Sequence, residues 1–93
     1  MSDFSSRVRE LVEEQGAVLT DRELARVVER YPNCRGKEEW DVRAYAGHHE
    51  GTREYRVVRG DRVEDVYASP VRVSAVAVGV ALNTLEVRGL ATG

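Results

Sequence analysis

Apolar residues at Phe4, Val8, Leu11 and Val12, with Arg7, Arg9, Glu10, Glu13 and Glu14 between them, trace one face of a 3.6-residue period. The spacing predicts an amphipathic helix that ends near Gly16, a residue suited to the left-handed position after a helix. Ala17 to Leu19 then form a short extended link. Thr20 is placed to cap a second helix, Glu23 stands three residues on, and Leu19 and Leu24 straddle the cap at the spacing of a hydrophobic staple. That helix runs from about Asp21 to Arg30, buries Leu24, Val27, Val28 and Tyr31, and is stopped by Pro32, because the residue before a proline avoids the α region.

The period changes beyond Lys37. Trp40, Val42, Ala44 and Ala46 alternate with Asp41, Arg43 and Tyr45, which predicts a half-buried strand, with a helix over Gly36 to Ala46 as the alternative. Gly47 to Thr52 reads as a turn. Tyr55 to Arg59 and Val63 to Ala68, joined through Gly60 and Asp61, read as a hairpin, since Gly and Asp accept the positive φ that such turns need. Val71, Val73, Val76, Val78, Val80 and Leu82 follow a two-residue period dense in β-branched residues, which favours a strand, although Ala75, Ala77 and Ala81 also suit a buried helix. Asn83-Thr84 would turn into a last strand at Leu85 to Leu90, with residues 91–93 fraying. The expected architecture is a single α+β domain over residues 1–93, with two N-terminal helices packed on an antiparallel β-sheet of about four or five strands in a meander.

Ninety-three residues support one core and no second domain. Fourteen Lys and Arg against sixteen Asp and Glu give a net charge of -2, so no global basic field attracts nucleic acid or an anionic membrane. Of the 25 residues from 69 on, Arg72, Glu86 and Arg88 alone are charged, so this stretch must be covered, either by the helices or by another protein. A single cysteine, Cys34, excludes an internal disulfide, and the charged N-terminus does not read as a secretory signal, so a cytoplasmic protein is expected. The apolar run Val71 to Leu82 is too short to span a bilayer, and no membrane partner is expected.

Candidate chemistry is sparse. His48-His49-Glu50, with Cys34 upstream, is the one group of metal-ligand types, but adjacent strand residues point to opposite faces, and no metal or other cofactor is expected. Glu38, Glu39, Asp41, His48 and His49 could titrate, yet no spacing pairs them for acid-base work. The chain is therefore expected not to be an enzyme. The functional expectation is an interaction or regulatory module acting through protein-protein contacts, with self-association as the simplest form. Its expected interface comprises Tyr45, Tyr55, Tyr67, Val76, Val78 and Val80, reached through a sheet edge or the apolar segment, while Trp40 is expected in the core.

The order of helix, Ala17-Val18-Leu19, Thr20-capped helix and Tyr31-Pro32-Asn33 resembles the first half of a winged-helix DNA-binding domain, with the hairpin around Gly60 in the place of its wing. The resemblance implies a transcriptional regulator whose third helix, over Gly36 to Ala46, enters the major groove. Under this alternative the nucleic-acid contacts are Arg35, Lys37, Arg43, Arg56, Arg59 and Arg62.

Overall fold

The computed structural model describes residues 3–34, 36–61 and 64–89. Helix α1 spans Asp3–Glu14 and α2 spans Asp21–Arg30, followed by a short 3-10 turn over Tyr31–Asn33. Strands β1 (Trp40–Ala46), β2 (Arg53–Arg59) and β3 (Asp65–Ser69) come next, and helix α3 (Arg72–Val87) follows them. The class is α+β with an antiparallel meander, β1-β2-β3.

The two N-terminal helices form where the pattern predicts. Gly16 takes φ +84° after α1. The Thr20 capping box is complete: the Glu23 amide donates to Thr20 Oγ1 at 3.1 Å, and the Thr20 amide donates to Glu23 Oε1 at 2.9 Å. That backbone donation is the main cause holding the Glu23 carboxyl below its ordinary pKa. Pro32 ends the α-helix at Arg30, but Tyr31 keeps right-handed helical angles and the chain tightens into the 3-10 turn.

The C-terminal third departs from the expectation. Residues 71–82 and 85–90 were expected as two strands; Arg72–Val87 is one continuous helix. Among the described residues the sheet therefore has three strands rather than four or five, and a third helix joins the two predicted ones. The alternating valines produced the two-residue signal, but the alanines between them are apolar too, so every helical face of this segment is compatible with burial. The buried set Ala75, Val78, Leu82 and Leu85 follows the helical period. Alanine favours the helix, and Gly79 lies over the sheet, where a β-carbon would make ordinary van der Waals contact with Val42 and Val57 at 3.7 and 3.9 Å. Tertiary packing has overridden β-propensity.

Layering differs correspondingly. Helices α2 and α3 cover the sheet, α3 crossing all three strands, and α1 lies on α2 and α3. The core gathers Val8 and Val12 of α1, Leu24 and Val27 of α2, Val57, Val66 and Tyr67 of the sheet, and Val78, Leu82 and Leu85 of α3. β1 pairs with β2 from Trp40↔Arg59 to Ala46↔Arg53. Trp40, Val42, Ala44, Tyr55, Val57 and Arg59 thus share the helix-covered face. Because Trp40–Ala46 is a strand, the groove-reading third helix implied by the winged-helix resemblance is not formed there.

The Thr20 cap gives a direct test. Thr20→Ala is expected to lower unfolding free energy by about 1 kcal/mol, with the fold retained, measured by urea denaturation followed by circular dichroism.

Candidate interaction surface

The rotation of α3 about its own axis decides which residues reach solvent. At about 100° per residue, Glu86, Gly79, Asn83, Val76, Val87, Val80 and Val73 succeed one another around the helix. Glu86 meets Arg59 of β2, Gly79 faces Val42 and Val57, and Asn83 reaches the backbone of Trp40 at the sheet edge. The next residues around the helix are the four valines, so the valine face opens just beyond the free edge of β1.

Two polar anchors hold this rotation. Arg59, 4 % exposed, donates through Nη2 to Glu86 Oε2 and through Nη1 to the Gly36 carbonyl at 2.9 Å. Its guanidinium lies 4.2 Å from the Trp40 ring centroid. The Tyr31 hydroxyl donates to the same Glu86 oxygen at 2.5 Å, and the Tyr31 ring packs against Phe4 and Trp40. Burial, then the hydrogen bond and negative charge of Glu86, push the Tyr31 pKa up to about 12. The second anchor is Asn83, whose Oδ1 accepts from the Trp40 amide at 2.8 Å and whose Nδ2 donates to the Trp40 carbonyl at 3.1 Å.

The Asn83 side chain thereby fills the place of a neighbouring strand. The Gly47 amide donates to the Thr52 carbonyl across the turn at 2.9 Å, and antiparallel pairing alternates from there. The amides and carbonyls of Ala46, Ala44, Val42 and Trp40 consequently point away from β2. Asn83 takes both groups of Trp40, and Asp41 Oδ1 accepts the Val42 amide at 2.9 Å. Among the described residues, the open part of this edge is the Val42 carbonyl with Ala44 and Ala46.

Beside that edge the valine face is bare: Val73 is 57 %, Val80 38 % and Val87 88 % exposed. They recur every seven residues, with half-buried Val76, Asn83 and Thr84 between them. Thr84 Oγ1 donates to the Val80 carbonyl at 2.8 Å, and Val73, Val76, Val80, Asn83, Thr84 and Val87 are all uncharged.

The expected interface residues scatter. Val80 and half-buried Val76 lie on the valine face, whereas Val78 is fully buried. Tyr67 is 2 % exposed and donates to Glu23 Oε2 at 2.8 Å; burial, then that bond, raise its pKa to about 12. Tyr55 packs on the core, and Tyr45 is exposed on the opposite sheet face under the Arg56 guanidinium. The arginines of the DNA-binding alternative also part company. Arg59 is buried, Arg56 pairs with Glu54 and Asp65, Arg43 donates to the Gly60 carbonyl, Lys37 is exposed, and Arg35 and Arg62 lie outside the described residues. Cys34 is buried, His48, His49 and Glu50 sit in an exposed turn, and no metal-ligand cluster forms among the described residues. Val73 and Val87 were missed; their seven-residue spacing with Val80 was the available signal, and it is meaningful only once the segment is a helix.

Comparison with protein-family models, curated proteins and solved structures finds no match to this chain, so its function has to be read from its own geometry.

Removing one member of the buried ion pair should cost more than removing both. Arg59→Ala is expected to lose about 3 kcal/mol in urea denaturation, and the Arg59→Met, Glu86→Leu double variant to recover most of it. A raised tyrosine pKa means that the folded state holds the proton more tightly. The stability this supplies is complete below the ordinary value of 10.0 and is lost as pH rises through about 12. Denaturation curves between pH 9 and 12 should show that fall, and Tyr67→Phe should reduce it.

Proposed function

We propose that this protein is a non-catalytic interaction module that acts by protein-protein contact, with a second copy of the chain seated on the outward face of α3. One observation carries the reading: Val73, Val80 and Val87 are exposed at seven-residue spacing along one uncharged helical face. A solvent-facing helix normally turns charged residues outward. Here the anchors at Asn83 and Glu86 turn valines outward instead, so the exposure follows from specific contacts.

The chemistry of the face favours self-association. Apolar residues at heptad spacing interdigitate with the same pattern on another helix, and burying one valine side chain is worth on the order of 1.5 kcal/mol. An uncharged stripe is self-complementary, because bringing two copies together opposes no like charges within it.

Sedimentation velocity over a wide concentration range tests the reading. The wild-type mass should rise from monomer toward dimer. The Val73→Lys, Val87→Lys double variant, altered at two exposed positions, should keep its circular dichroism spectrum while association weakens at least about tenfold. A wild-type protein that stays monomeric throughout the range overturns it.

A further inference from the structure

We draw no further inference here: the strongest candidate, the surface patch of Arg22, Arg26 and Arg30 along the outward face of α2, carries nothing, because Glu29 stands among the three, Asp65 already pairs with Arg30, and nothing in the structure shows what covers the patch.

Discussion

The structure depends on the ion pair between Arg59 of β2 and Glu86 of α3, because it sets how the most apolar helix of the protein is turned. Helix α3 is apolar nearly all round, and hydrophobic burial alone would accept several rotations of it on the sheet. A buried arginine accepts one partner. With Glu86 bound to Arg59 and Tyr31, the helix can rotate no further in one direction. Asn83, bonded to Trp40 a fraction of a turn away, closes off the other. Net stability is the lesser consequence, since a buried pair recovers little beyond its own desolvation, and the Nε of Arg59 and the indole nitrogen of Trp40 remain buried without an acceptor. The larger consequence is specificity: one face of α3 enters the core and one remains outside.

The same contacts manage the sheet edge. A three-stranded meander has two open edges, and an open edge invites uncontrolled pairing. Along β1 the Asn83 amide imitates one residue of a neighbouring strand, and Asp41 satisfies the next amide from its own side chain. Strand addition is discouraged there, beside the exposed valines of α3. The aromatic cluster of Phe4, Tyr31 and Trp40 links α1, the 3-10 turn and β1 to this point, so three further elements are held by the region that orients α3.

Local signals were legible wherever the determining contacts are close in sequence. The Thr20 capping box involves residues three apart, the Gly16 terminus one residue, and the strand at Trp40 to Ala46 a single alternating run, and each forms where its pattern lies. The segment from Val71 to Val87 was misread because its pattern is degenerate: valines at alternate positions satisfy a strand, alanines between them satisfy a helix, and nothing local separates the two. The candidate surface was legible only in part. Val76 and Val80 stand out as apolar residues in an uncharged stretch, whereas Val78, which shares those grounds, and Tyr67, an expected aromatic anchor, turn inward. Polar partners far apart in sequence were invisible, since no spacing joins Arg59 to Glu86 or Trp40 to Asn83.

By itself, the sequence determined the α+β class, the two N-terminal helices, the hairpin strands and the presence of one apolar, nearly uncharged segment that needs cover. These follow from periodicity, capping and turn chemistry, all forces that act within a few residues. Tertiary structure alone decided that the segment is a helix and which of its valines face outward. That choice lies in contacts across 27 and 43 residues of chain, where a buried arginine and an asparagine fix its rotation.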